Sequence, residues 1–109
     1  MLFVDDEASN RKAYKMFFED NLTPNVDLAE EYTSAIEKIK KTNYNLIVLD
    51  SLEGDCFRII KDMASIPHGD IVIFSLNEKI KEQAANLGIP FYYKSDRNKL
   101  IKDYAEKYK

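Results

Sequence analysis

Cysteine pairs, long apolar runs and a leading signal segment are all missing from this sequence. Its one cysteine, Cys56, cannot form a disulfide within the chain, which favours a reducing compartment. No apolar run approaches the roughly 18 residues of a membrane span. No charged-then-apolar signal peptide opens the chain either. We therefore expect a cytoplasmic protein that does not enter the membrane.

The sequence also lacks an excess of basic residues. Its 16 lysines and arginines stand against 19 aspartates and glutamates, which gives a formal charge of −3 at pH 7. Because nucleic acids are bound through basic surfaces, direct nucleic-acid binding is not expected. Gly/Ser linkers and low-complexity tracts are absent too. The 109 residues are therefore expected to form one domain around one core.

Short apolar runs alternate with amphipathic segments along the whole chain. Leu46–Leu49 and Ile71–Phe74 are uninterrupted apolar runs, which are typical of strands buried on both faces. The other predicted strands are Leu2–Val4, Val26–Leu28 and Phe91–Tyr93. Apolar residues at helical spacing follow each run. Five strand-then-helix units predict an α/β fold with a parallel sheet covered by helices on both faces.

Capping residues predict two helix boundaries. Thr33 or Ser34 can cap the second helix, and Ser34 with Glu37 has capping-box spacing. Gly88 follows the apolar stripe of the fourth helix and is a candidate C-cap. The second helix is therefore expected to begin close to residue 34.

Polar side chains follow the predicted strands, in the order Asp5 and Asp6, Asp50, Ser75 and Lys94. Ligands of parallel sheets bind at this carboxyl edge. Clustered carboxylates repel one another unless a cation offsets their charge, and Mg²⁺ prefers oxygen ligands and often bridges carboxylate to phosphate. A carboxylate can also be a nucleophile that forms an acyl phosphate. The pattern predicts phosphoryl transfer assisted by Mg²⁺.

Taken in order, these segments resemble the response-regulator receiver family of two-component signalling. The segments that carry the resemblance are Leu2–Glu7, Leu46–Asp50, Ile71–Ser75 and Phe91–Lys94. Short apolar runs ending in Asp are common, so only the ordered set is specific. The resemblance covers essentially the whole chain. It implies one receiver domain over residues 1–109, with a flavodoxin-like (βα)5 three-layer sandwich and a parallel five-stranded sheet of order 2-1-3-4-5.

The resemblance implies that Asp50 is the phosphoacceptor. The phosphoryl group would come from a histidine kinase or a histidine phosphotransfer protein. The domain itself would catalyse this transfer and a slow loss of the phosphate, without being a conventional enzyme. Mg²⁺ would be bound by Asp5, Asp6, Asp50 and the backbone carbonyl of Leu52.

The resemblance also implies roles for three residues on the last two strands. Ser75 would hydrogen-bond the phosphoryl group, and Lys94 would form a salt bridge to it. Phe91, three residues before the lysine, stands at the family's aromatic switch position. The phosphorylated domain would then change its binding to an output partner on the face formed by the fourth helix, fifth strand and fifth helix.

Several positions depart from the family pattern. Gly54 comes about four residues early after Asp50, which implies a shortened loop. Leu76 replaces the small residue that usually follows the switch hydroxyl, and Ser95 replaces the usual proline after Lys94. The segment from residue 75 to 94 is short by nearly one helical turn, so the fourth helix is expected to be abbreviated. These departures motivate an alternative function, a receiver-fold interaction module that no longer cycles phosphate.

Simpler explanations exist for each candidate residue. Asp50, Asp5 and Asp6 could cap helices, and Ser75 could do the same. Lys94 could be one solvated amine among many, and Phe91 could be plain core. A small hydrolase or a flavodoxin-like cofactor binder is disfavoured, since the chain has no Gly-rich phosphate loop and no histidine where a general base is needed.

Overall fold

The computed structural model describes residues 1–108, and side-chain burial for residues 1–107. The strands are Leu2–Val4 (β1), Asp27–Ala29 (β2), Leu46–Leu49 (β3), Asp70–Ser75 (β4) and Phe91–Tyr93 (β5). The helices are Ala8–Asn21 (α1), Tyr32–Lys41 (α2), Asp55–Met63 (α3), Lys81–Asn86 (α4) and Arg97–Tyr104 (α5). The predicted alternation of strands and helices is confirmed.

The five strands form one sheet of order β2-β1-β3-β4-β5, and every neighbouring pair is parallel. This confirms the predicted flavodoxin-like α/β fold. Val4 pairs with Leu49, and Leu49 pairs with Ile73, so the three central strands are in step near their carboxyl ends. The residues that follow β1 and β3 therefore leave the sheet side by side.

Each face of the sheet has its own apolar core, because successive strand side chains point to opposite faces. One core joins strand residues such as Ile47 and Leu49 to α2, α3 and α4. The other joins Phe3, Val48 and Phe74 to α1 and α5. Helices cover both faces, so the architecture is a three-layer sandwich.

The start of α2 differs from the prediction. Neither Thr33 nor Ser34 is the N-cap, and the Ser34–Glu37 capping box was wrong. The N-cap is Glu31, whose carboxylate accepts from the backbone N–H groups of Thr33 and Ser34 at 3.0 and 2.9 Å. The Ser34 hydroxyl accepts in return from the Glu31 N–H. Glutamate can do this because its carboxylate offers two acceptor oxygens, so α2 begins two residues earlier than expected.

The fourth helix is short, as the spacing from Ser75 to Lys94 predicted. Only Lys81–Asn86 is α-helical, preceded by one 3₁₀ turn at Glu78–Ile80. Its buried side is supplied by Ala84 and Ile80. None of the helices in the described part of the chain has the length and apolar character needed to cross a membrane.

Candidate functional site at the carboxyl edge of the sheet

Four polar side chains that the sequence singled out stand at the carboxyl ends of their strands and are buried there. Asp5 is fully buried, and Asp50, Ser75 and Lys94 are each at most 9% exposed. Backbone hydrogen bonds extend the ladder one residue past β1 and β3, from the Asp50 N–H to the Val4 carbonyl at 2.8 Å. The central strands thereby fix where the two aspartates stand.

The Lys94 ammonium lies between two carboxylates. Its Nζ is 2.8 Å from Asp5 Oδ2 and 3.0 Å from Asp50 Oδ1. Burial alone would lower the pKa of Lys94, but its hydrogen bonds and charge interactions with Asp5 and Asp50 outweigh burial and raise it. Lys94 is therefore charged at neutral pH and is not a solvated surface amine.

The Asp50 carboxylate is held at both of its oxygens. Oδ1 faces Lys94, and Oδ2 accepts from the backbone N–H of Leu52 at 3.3 Å. Burial raises the pKa of Asp50, and the charge of Asp5 adds to this, while Lys94 and the Leu52 N–H oppose it. Ionised Asp50 is thus less stabilised by its surroundings than an aspartate in water.

Helix capping does not account for the three aspartates. The N-cap of α1 is Glu7 and that of α3 is Gly54, and neither helix start has a side-chain capping bond. Asp5 instead accepts from the Glu7 N–H through Oδ1 at 2.9 Å. This bond fixes the rotamer of Asp5 and leaves Oδ2 for Lys94.

The aspartates could together hold a metal ion. One carboxylate oxygen from each of Asp5, Asp6 and Asp50 lies within 4.8 Å of the others. Asp6 is exposed, so the cluster opens to solvent on its side. The Leu52 carbonyl accepts a hydrogen bond from the Asp55 N–H, and a carbonyl oxygen has a second lone pair. An all-oxygen set of this kind suits a hard divalent cation.

The remaining predicted residues lie on or next to the last two strands. Ser75 ends β4, and its Oγ accepts from the Asn77 N–H at 3.0 Å. Asn77, not Ser75, caps the following 3₁₀ turn. Phe91 is partly buried and packs edge-on against Tyr93, with ring centroids 5.1 Å apart. Leu76 is 69% exposed, so most of its side chain lies in solvent rather than inside the pocket.

Two residues near the cluster were not assigned a role from the sequence. Arg11 donates from Nη1 to the Asp5 carbonyl at 2.8 Å and lies 3.6 Å from Glu30. The ring of Tyr14 lies beneath the Lys94 ammonium. The sequence placed Tyr14 only in the apolar stripe of the first helix. Neither contact can be predicted from the local sequence, because both join α1 to residues that follow the strands.

Cys56 is a packing residue here. It is fully buried at the start of α3, and burial raises the pKa of its thiol to about 12. A thiol that stays protonated at neutral pH is a poor nucleophile. The site's chemistry therefore rests on oxygen and amine groups.

The loop after Asp50 has an unusual backbone. Leu52, Glu53 and Gly54 all have positive φ, at 50°, 54° and 99°. Only glycine adopts this region without steric cost. The side chain of Leu52 is nevertheless buried, which anchors the loop in this conformation beside the Asp50 carboxylate.

We expect Glu53→Gly to raise the free energy of unfolding by about 0.5–1 kcal/mol. Relief of the left-handed strain exceeds the extra chain entropy of glycine. Glu37→Gly is the matched control, since Glu37 is also exposed but lies within α2, where glycine costs about 1 kcal/mol. Urea denaturation of the two variants should give opposite signs. A loss of stability in both would contradict the strain.

We also expect Asp50→Asn to stabilise the metal-free protein at pH 7, by about 0.5–2 kcal/mol. The pKa of Asp50 is raised on folding from its ordinary 3.8. Asp50 therefore contributes most to the stability of the fold below pH 3.8, where it is protonated. That contribution is lost as the pH rises through the pKa that Asp50 has in the folded protein. Urea denaturation of the wild type and Asp50→Asn in a chelator, at pH 7 and near pH 4, measures the difference in stability. The advantage of Asp50→Asn should be smaller at the lower pH. Asp55→Asn, at an exposed site, should show no such gain.

Comparison with known proteins leaves the family open. No protein-family model matches the chain, and no curated protein sequence matches it significantly. The fold, a parallel five-stranded α/β sandwich, is compatible with a receiver domain. The functional assignment rests on the site itself, since one fold can serve many functions.

Proposed function

We propose that this protein is a phosphoacceptor receiver domain of a two-component phosphorelay. The observation that carries the proposal is the buried Asp50 carboxylate, which stands at the carboxyl edge among two further aspartates with a lysine ammonium 3.0 Å away. A nucleophilic carboxylate, an oxygen ligand set and a fixed cation are the groups that phosphoryl transfer needs. Their arrangement supports transfer better than it supports a structural ion pair alone.

The proposed reaction moves one phosphoryl group. An Asp50 oxygen forms a bond to the phosphorus of a phosphohistidine on a histidine kinase or a histidine phosphotransfer protein. The phosphorus–nitrogen bond breaks, and the electron pair leaves with the imidazole. Lys94 offsets the charge of the phosphoryl oxygens, and the Ser75 hydroxyl donates a hydrogen bond to one of them. The product is an acyl phosphate on Asp50.

Mg²⁺ is the cation that we propose for the oxygen cluster. Asp5, Asp6, Asp50 and the Leu52 carbonyl would hold it, and it would supply positive charge against the phosphoryl oxygens. The fully buried Asp5 is already oriented by Glu7 and Lys94. Asp6 is exposed and can turn toward an incoming ion.

The proposed output is altered binding on the α4–β5–α5 face. Phe91 and Tyr93 lie on β5 three residues and one residue before Lys94, and the Lys81 ammonium lies 5.2 Å from the Tyr93 ring centroid. Movement of Ser75 and Lys94 toward a phosphoryl group would shift an existing equilibrium in the loops beside this face. We propose that this signalling takes place in the cytoplasm.

The test is to incubate the protein with magnesium and acetyl phosphate and weigh the intact chain. We expect the wild type to gain the mass of one phosphoryl group and Asp50→Asn to gain none. Asp55→Asn is the matched control, because it removes an exposed aspartate close by without touching the cluster, and it should be phosphorylated. An unmodified wild type, or a modified Asp50→Asn, would refute the proposal.

A second candidate is a receiver-fold interaction module that does not cycle phosphate. Two observations favour it: Lys94 already neutralises charge on Asp5 and Asp50, and α4 is only six residues long. It predicts weak or absent magnesium binding and partner binding that is indifferent to Asp50→Asn. A magnesium titration followed by NMR separates the two, since saturable shifts around Asp50 at physiological magnesium would exclude the inert module.

A further inference from the structure

We propose that Tyr14 is a positioning residue for Lys94, and that the face of its ring holds the ammonium between Asp5 and Asp50. What this implies for phosphoryl binding rests on the proposed function. The contact itself exists in the unphosphorylated protein and can be tested there.

The Tyr14 ring lies next to an amine that already contacts two carboxylates. The Lys94 Nζ carries three N–H donors, and it lies 2.8 Å from Asp5 Oδ2 and 3.0 Å from Asp50 Oδ1. The Tyr14 ring centroid is 5.8 Å from the same Nζ, which lies over the ring. This distance is within the range at which a cation is attracted to the negative face of an aromatic ring.

The ring is fixed by aromatic residues of the central strands. Tyr14 packs edge-on against Phe74, with centroids 5.0 Å apart and planes at 85°, and against Phe3 at 5.8 Å and 70°. Phe74 immediately precedes Ser75, and Phe3 lies two residues before Asp5. The same strands that set the site residues therefore also set the ring that faces Lys94.

A fixed ring has an advantage over a third carboxylate. Lysine has a flexible four-carbon stem and loses rotamer entropy when it is held in one place. Phosphorylation would replace the Asp50 charge with a larger one, so the ion pairs of the amine would change. The π-face attracts the ammonium without adding charge or an acceptor that competes with the phosphoryl oxygens. The Tyr14 ring can therefore hold Nζ in both the unphosphorylated and the phosphorylated protein.

The test is a series of phenylalanine and increasingly fluorinated phenylalanines at position 14. Fluorine withdraws the negative charge of the ring face with little change in shape. The readout is hydrogen exchange of the Lys94 ammonium with water, followed by NMR without phosphodonor or metal. We expect Tyr14→Phe to match the wild type and the trifluorinated residue to exchange about two- to fivefold faster, with intermediate members in order.

Controls separate positioning from packing. Phe18→Leu removes a fully buried ring that contacts Tyr14, Phe3 and Phe74, and it should lower the melting temperature without speeding Lys94 exchange. Tyr14→Leu should do both. An exchange rate that stays flat across the fluorinated series would overturn the proposal, as would equal acceleration in Phe18→Leu.

The outcome is independent of whether Asp50 is phosphorylated. A wild type that takes no phosphate but shows graded exchange would overturn the proposed function and leave the Tyr14 contact standing. If Asp50 is phosphorylated, its rate with acetyl phosphate should fall about two- to fivefold along the same series. A phosphorylation rate unaffected by the series would limit Tyr14 to the resting state and contradict its role toward the phosphoryl group.

Discussion

Lys94→Met is expected to lower the free energy of unfolding by about 3–5 kcal/mol at pH 7 without divalent cations. The lysine is the buried counter-charge of Asp5, which is fully buried, and of Asp50, which is 8% exposed. Methionine matches the stem of lysine in shape but leaves two carboxylates facing each other without a cation. Removing one partner of a buried ion pair costs more than the pair contributes.

A divalent cation should reverse much of this loss. The oxygens of Asp5, Asp6 and Asp50 can replace the amine with a bound ion, so adding Mg²⁺ should stabilise Lys94→Met more than the wild type. The measurement is urea denaturation in chelator and in a magnesium series. Adding Asp50→Asn to Lys94→Met should also recover part of the stability, because the two residues are coupled.

Lys99→Met provides the control for the methionine itself. Lys99 is exposed on α5, so this change is expected to stay within about 0.5 kcal/mol of the wild type. A Lys94→Met protein as stable as Lys99→Met in chelator would show that the aspartates tolerate each other without the lysine. That result would contradict the claim that Lys94 is needed to offset the charges of Asp5 and Asp50.

Gly69→Ala is expected to destabilise the protein by about 3–5 kcal/mol. A Cβ at this position would lie 2.1 Å from the backbone oxygen of Asn45 and 2.6 Å from its carbonyl carbon. Neither atom can move alone, because the Gly69 N–H donates to the Tyr44 carbonyl and the Asp70 N–H donates to Asn45. The alanine would therefore push β3 and β4 apart where their pairing begins.

Gly88→Ala is the matched comparison. Gly88 has φ of 71° and open space around the place of a Cβ, so alanine there incurs only left-handed strain of about 1–2 kcal/mol. Thermal denaturation of the two variants should rank Gly69→Ala as clearly the less stable. Equal losses of stability would mean that β3 and β4 can move apart at little energetic cost. The close approach of Asn45 would then not explain why residue 69 is a glycine.

The fold could be predicted because its signals are local. Leu46–Leu49 and Ile71–Phe74 are short uninterrupted apolar runs, which favour buried strands, and strict alternation with helices favours a parallel sheet. The same reasoning predicted that Asp5, Asp50 and Lys94 would meet, since the carboxyl ends of parallel strands share one edge. Their burial and their two short ion pairs followed from packing of the whole sheet.

The features that the sequence did not predict depend on contacts between distant residues. Glutamate is not among the preferred N-caps, so the role of Glu31 was hidden behind the more usual Ser34. The left-handed backbone of Leu52 and Glu53 is imposed by the anchoring of a short loop against the core, against their own preferences. Tyr14 looked like core, because only the folded sheet places Lys94 above it.

The ion pair between Lys94 and Asp5 joins residues 89 positions apart in the sequence. During synthesis Asp5 and Asp50 leave the ribosome well before Lys94 does. Before β5 is made, the nascent chain therefore carries both carboxylates without their lysine counter-charge, and only a bound cation could offset their repulsion. Under the proposed function, Lys94 offsets the charge of the phosphoryl oxygens, so a growing chain would be a poorer substrate for a phosphodonor than the finished sheet. Phosphorylation would then also report that the fifth strand has joined the sheet.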